Sequence, residues 1–147
     1  MDVQGLQVNS VDSAGETPLI TALDNDMFSV AQRLIDAGAN VNVKSKSLAC
    51  GTLLHHYSSR GNIDVIKMII NSPTFDKASV NLQGGKSGFT PLHLACRGGR
   101  DDVCRLLLPM CDINVKDNAG KTAVQLAQIN RKASTVAVIE EFVASAA

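Results

Sequence analysis

A threonine-centred segment that returns four times constrains this chain more than any other feature. The segments are Gly15-Glu16-Thr17-Pro18-Leu19-Ile20-Thr21-Ala22-Leu23, Gly51-Thr52-Leu53-Leu54-His55-His56, Gly88-Phe89-Thr90-Pro91-Leu92-His93-Leu94-Ala95-Cys96 and Gly120-Lys121-Thr122-Ala123-Val124-Gln125-Leu126-Ala127. Their threonines are spaced by 35, 38 and 32 residues. Thirteen residues beyond each Thr stand Val30, Val65, Val103 and Thr135, which open apolar stretches such as Val65-Ile66 to Met68-Ile69-Ile70. An Asn closes the units in Val41-Asn42, Val80-Asn81 and Ile113-Asn114, and Val8-Asn9 precedes the first. A period of this length marks stacked supersecondary units, each too small to bury its own apolar face.

The segments carry their own local physics. Thr at a helix start caps exposed backbone N–H groups, and Pro fits the first helical position because its missing N–H would be unpaired there anyway. Leu92 and Ala95 fall on one helix face, and the small Ala lets a neighbouring helix come close. Gly61 and Gly98-Gly99 follow the first helix of their units and Gly38 follows a second helix, where a left-handed residue commonly ends a helix.

The pattern resembles the ankyrin repeat, a β-hairpin followed by two antiparallel helices. The third unit carries the family's Thr-Pro-Leu-His-Leu-Ala signature intact, as Thr90 to Ala95. The resemblance implies an all-α solenoid of helix-turn-helix units joined by β-hairpin loops. One domain, 1–147, is expected, with repeats at about 8–42, 43–81, 82–114 and 115–147. The second unit departs most: Leu53 replaces the Pro, Cys50-Gly51 is out of step with the usual Gly, and a looser helix start is expected. Five residues beyond the usual period lie within Asn71–Ser79 and Gln83–Gly88 before the third unit. Gly84-Gly85 with Lys86-Ser87-Gly88 is expected to make an extended, flexible finger, and Pro73 to stop the preceding helix. The fourth unit, with Ala123 and Gln125 at the Pro and His positions and Glu140-Glu141 in its last helix, reads as a polar C-terminal cap. No cap is evident before the first unit, where Val3, Leu6 and Val8 are the residues available to cover it.

Composition narrows the class further. Fourteen basic residues balance fourteen acidic ones, which gives no pull toward nucleic acid or membrane. The N-terminus lacks a basic start followed by an apolar run, and no apolar stretch approaches a membrane span. Cys50, Cys96, Cys104 and Cys111 show no paired spacing, so free thiols in the cytoplasm or nucleus are expected.

Candidate chemistry is sparse. His93 and Cys96 could share a helix face as base and nucleophile, the one route to a thiol enzyme, but no orienting third residue is apparent. His55, His56 and Cys50 lack the spacing of a zinc site. Gly84-Gly85-Lys86-Ser87 lacks the upstream glycine and strand context of a phosphate loop. No catalytic residue, metal or cofactor is expected. Leu106 and Asp112-Ile113-Asn114 resemble the acceptor pattern for asparaginyl hydroxylation in ankyrin repeats.

The family resemblance implies a non-catalytic adaptor or inhibitor that holds another protein, as a monomer, on hairpin tips and the exposed sides of the first helices. Carried over by position, that surface comprises Glu16, Asp24 and Asn25 in the first unit and Leu48 and Arg60 in the second. The third contributes Lys86, Ser87, Phe89 and Arg97, and the fourth Asn118, Lys121 and Ile129. Phe89 is expected either to stand exposed as a binding anchor or to fold onto the loop around Phe75. Charge is polarised, with Asp12, Glu16, Asp24 and Asp26 early and Arg60, Lys86, Arg97, Arg100 and Lys121 later. The hairpin Gly84 to Gly88 and the segment Ala119 to Ala127 resemble IκB-like inhibitors of Rel/NF-κB transcription factors. That resemblance implies a shortened inhibitor without acidic degradable tails. The size also fits the four-repeat inhibitors of cyclin-dependent kinases.

Overall fold

The computed structural model describes residues 8–13, 15–44 and 51–146. Eight α-helices follow one another in pairs: α1 (Pro18–Asp24) with α2 (Phe28–Asp36), α3 (Leu53–Arg60) with α4 (Ile63–Ile70), α5 (Pro91–Gly98) with α6 (Asp101–Leu107), and α7 (Ala123–Ile129) with α8 (Ala133–Ala146). A 3-10 helix, Lys77–Asn81, lies between the second and third pairs. The chain is thus an all-α stack of helix pairs.

Each first helix starts at its recurrent threonine. Thr17, Thr52, Thr90 and Thr122 sit in extended backbone, and each Oγ1 accepts an N–H from the third helical residue, at 3.3, 3.5, 3.2 and 3.4 Å in turn. In three units the bond is reciprocated. The Nδ1 of His55 and of His93 accepts the N–H of Thr52 and of Thr90 at 3.2 Å, and Gln125 Oε1 accepts that of Thr122 at 2.8 Å. Gln125 therefore does half the work of the histidine it replaces. The second unit keeps a complete capping box without the Pro, although its Thr52 Oγ1 bond is the longest of the four. Gly51 (φ 129°) is what accommodates the altered entry: a Cβ there would lie 3.0 Å from His55 Nδ1.

The histidines join neighbouring units. With Nδ1 accepting, Nε2 carries the proton: that of His55 donates to the carbonyls of Leu82 (2.6 Å) and Phe89 (3.1 Å), and that of His93 to Lys121 O at 2.9 Å. The closing asparagines make a second set of links. Asn9 Oδ1 accepts from Asn40 N–H, Asn42 Oδ1 from Asp76 N–H and Asn81 Oδ1 from Asp112 N–H, each across more than thirty residues.

Apolar residues from all four units merge into one core. Leu19, Ile20, Leu53, Leu54, Ile66 and Leu92 are almost completely buried within it, each worth about 1.5–3 kcal/mol. The first helices of the last three pairs pack most intimately, α3 on α5 and α5 on α7.

Gly84–Gly88 does not form an extended finger, and the insertion before the third unit is mostly folded elsewhere. Most of it is taken up by the turn at Ser72–Phe75 and the 3-10 helix, where the Asp76 carboxylate caps Ala78 N–H at 3.0 Å. The hairpin itself is closed by an antiparallel bridge between Gly84 and Phe89, with N–H···O distances of 2.9 and 3.1 Å. Its tip is also tied to the next unit: Asn118 Nδ2 donates to Lys86 O at 2.8 Å and Asn118 N–H to Ser87 O at 2.9 Å. As expected, α4 ends before Pro73. At the first unit Val8 packs partly on the core while Val11, Met27 and Phe28 remain exposed; Val3 and Leu6 lie outside the described residues.

Candidate partner-binding surface

The hairpins are held by side chains that sequence spacing alone does not single out. Asp117 is buried, and its Oδ1 accepts the N–H groups of Ala119 and Lys121, both at 2.9 Å. Asp12 does the same for Glu16 N–H at 3.0 Å. A signal existed, since each Asp stands five residues before its helix-capping Thr. Gln83 spans two units by donating to Gly88 O (2.9 Å) and Lys116 O (2.6 Å).

Phe89 takes neither of its expected positions. Its ring is half-buried and stacks on His93, with centroids 5.9 Å apart and planes inclined by 20°. The Arg97 guanidinium carbon lies 5.3 Å from the ring centroid, within cation–π range. Phe75 packs instead against the core. A buried imidazole, an aromatic ring and an exposed cation thus form one stack where the third hairpin meets α5. Its base is rigid because both ring nitrogens of His93 are engaged, Nδ1 by Thr90 and Nε2 by Lys121 O.

The same bonds bear on catalysis. Cys96 is fully buried, with its Sγ 3.7 Å from Cys104 Sγ. Hydrogen bonding to Cys104, together with burial, pushes the Cys96 thiol far up and keeps it protonated. Burial pushes Cys111 up to about 12. His55 is likewise engaged at both nitrogens, and burial, the largest influence on it, lowers its pKa. Cys50 lies outside the described residues, among which no three His, Cys, Asp or Glu side chains gather to hold a metal. Gly84–Ser87 belongs to the tight hairpin, not to a strand-to-helix loop. Asn114 is exposed, with its N–H bonded to Asp112 Oδ1 at 2.9 Å.

Comparison with known proteins agrees with this geometry. The model described as "Ankyrin repeats (3 copies)" matches residues 45–117, and the single "Ankyrin repeat" model matches residues 14–46. The chain belongs to the ankyrin-repeat family. Its similar relatives differ widely in kind. Human transient receptor potential cation channel subfamily A member 1 is 33% identical over 128 residues, 87% of this chain and 11% of the channel. Alpha-latrotoxin-Lh1a of Latrodectus hasselti is 33% identical over 97 residues, 66% of this chain and 7% of the toxin. NF-kappa-B inhibitor cactus of Drosophila melanogaster is 32% identical over 91 residues, 60% of this chain and 17% of the inhibitor. The chain spans less than a fifth of the length of these relatives. What they share with it is the repeat, which serves as a protein–protein interaction module and is generally non-catalytic. No helix among the described residues is long and apolar enough to cross a membrane.

The ankyrin-repeat frame places the candidate surface residues unequally. Lys86, Ser87, Phe89 and Arg97 come together around the third hairpin and α5, and Asn118 and Lys121 adjoin them through the Lys86, Ser87 and His93 bonds. Asp24, Arg60 and Ile129 are exposed at the far ends of α1, α3 and α7, Ile129 to 60%. Asn25 and Asn118 already have structural work, since Asn25 Nδ2 donates to Thr21 O at 2.8 Å at the end of α1. Glu16 is half-buried in the first hairpin, and Leu48 lies outside the described residues.

Proposed function

We propose that this ankyrin-repeat chain is a non-catalytic adaptor or inhibitor whose four units, about 8–42, 43–81, 82–114 and 115–147, act as one binding body. Its partner, another protein, docks on the concave hairpin and first-helix face. The contacts run from Glu16, Asp24 and Asn25 through Arg60 to Lys86, Ser87, Phe89, Arg97, Asn118, Lys121 and Ile129. The observation that supports this is the Phe89 stack, which presents a partly exposed aromatic ring and a cation on a base fixed by hydrogen bonds. Pre-organised aromatic and Arg groups are what binding hot spots are made of. The reading puts the chain in the cytoplasm or nucleus, where its thiols stay reduced.

Affinity capture with purified wild-type and Phe89→Ala protein tests it. Phe89→Ala should cut retention of the partner about tenfold or more while leaving the circular-dichroism melt nearly unchanged. Capture indifferent to Phe89, Lys86 and Arg97 would sink the assignment of the face.

The cactus relatives favour a second reading within the same class, an IκB-like inhibitor of a Rel/NF-κB transcription factor. Titrating the chain into a Rel dimer bound to its DNA site decides it: release of the DNA supports the reading, and an undisturbed complex removes it.

A further inference from the structure

The first-to-second helix turns repeat the same backbone in all four units. The residue nine beyond each capping Thr is left-handed: Asp26 (φ 56°), Gly61 (φ 74°), Gly99 (φ 69°) and Arg131 (φ 59°). Glycine serves the two inner turns for a reason beyond φ. A Cβ on Gly61 would lie 2.8 Å from Arg100 Cδ, and one on Gly99 would lie 2.9 Å from Lys132 Cδ. Arg100 and Lys132 occupy the next position in the following unit, so each long cation lies back across the turn before it. Asp26 has no such visitor: the residue of the second unit at that position is the shorter Asn62, which caps its own helix through Val65 N–H.

Cations therefore accumulate along one edge of the last three units: Arg60 at the end of α3, Arg97 in the last turn of α5, and Arg100, Arg131 and Lys132 at the turns. Arg100 Nε donates to Ser59 O at 3.2 Å, which fixes the side chain by its Nε and not by its terminal NH2 groups. Arg97 is seated on Phe89. Asp24 and Asp26 lie toward the Arg60 end and offset it in part, since both act with Arg60 on Tyr57, whereas the acids near the rest of the row are engaged or set apart. Asp101 accepts the Thr135 hydroxyl at 2.5 Å, Asp102 pairs with Arg105 in the one ion pair recorded among the described residues, and Asp64 lies on α4.

We infer that this row docks an acidic peptide segment of the partner protein. The inference rests on the reading of the chain as a protein-binding unit. Cations held in place by packing lose little freedom on meeting carboxylates, and guanidinium forks match them in shape. A short acidic peptide fits better than an extended polyanion such as nucleic acid. Residues 1–50 carry six acidic against three basic side chains, whereas residues 51–147 carry eight against eleven. A long polyanion following the solenoid would run into like charge at the first unit.

Fluorescence anisotropy with a short labelled peptide of Glu, Asp and Leu tests the row. Binding should be saturable, weaken with added salt, and fall about tenfold in the triple variant Arg97→Gln, Arg100→Gln, Lys132→Gln. Because Arg100 also bonds Ser59 O, the double variant Arg131→Gln, Lys132→Gln, which removes no recorded hydrogen bond of either side chain, provides a second arm and should weaken binding in the same direction. Lys67→Gln, a charge on a second helix outside the row, should leave affinity unchanged. Equal loss in that control, no loss in a folded row variant, or tighter binding of a single-stranded oligonucleotide of equal charge would overturn the inference. Partner capture that depends on Phe89 but not on Arg100, Arg131 and Lys132 would overturn the row alone. Peptide binding at the row beside capture indifferent to Phe89 and Lys86 would overturn only the concave-face reading.

Discussion

The α1–α3 junction and the α3–α5 junction share the same capping chemistry yet pack differently. At the fifth position after the capping Thr, α1, α5 and α7 carry Ala22, Ala95 and Ala127, whereas α3 carries Tyr57. Tyr57 is buried to 4% exposure, and burial, then the charge of Asp24, raises its phenol pKa. Helices α3, α5 and α7 meet closely, and Ala95 and Ala127 are fully buried in α5 and α7, while α1 does not approach α3 to the same degree. The looser junction coincides with the one large side chain at this position, although Thr17 and Thr52 both cap their helices.

The largest effect that could break this comparison is Ala95→Tyr, which puts the bulk of the first junction into the second. It should cost about 3 kcal/mol or more, read as a lower midpoint in urea unfolding, because α3 and α5 have no room to part. A change below about 1 kcal/mol would show that the junctions are equivalent in tolerance. Next, His93→Ala should cost about 2–3 kcal/mol by stranding Thr90 N–H and Lys121 O; hydrogen exchange should speed up first at the hairpin around Lys121.

Tyr57→Ala sharpens the comparison. It should cost about 2 kcal/mol, less than a fully rigid cavity, because α1 can settle toward α3. Its exchange signature should be confined to α1 and α2 amides, with α5 and α7 unchanged. The smallest effect concerns pH. Burial holds His55 below its ordinary value of 6.5, so the unfolded chain takes up the proton first. Stability is complete above 6.5 and declines as pH falls below it, and His56, lowered by burial and by Arg60, acts in the same direction. Thermal melts across that range should show the decline, and His55→Gln should flatten it.

Much of the fold could be read from residues within a single unit. Thr17, Thr52, Thr90 and Thr122 mark helix starts that the structure places where expected, and the recurring Asn and His positions bond to neighbouring units. The surface was less legible. The seat of Phe89 depends on the ring of His93 and the reach of Arg97, three side chains on one hairpin–helix corner whose rotamers no spacing rule specifies. The hairpin expected to be a flexible finger is closed by the Gly84–Phe89 bridge, and Asn118, from the next unit, binds its tip.

What the sequence determined by itself was local and periodic: four capped helix starts, the turns after them, and the apolar face that obliges the units to stack. Only the tertiary structure decided how neighbouring units meet. Arg100 over Gly61, Lys132 over Gly99 and Asn118 on the tip of the preceding hairpin each join residues from different units. Caps and turns are governed by bonds between residues a few positions apart. Spacing and surface depend on the volume and reach of side chains that become neighbours only once the stack has formed.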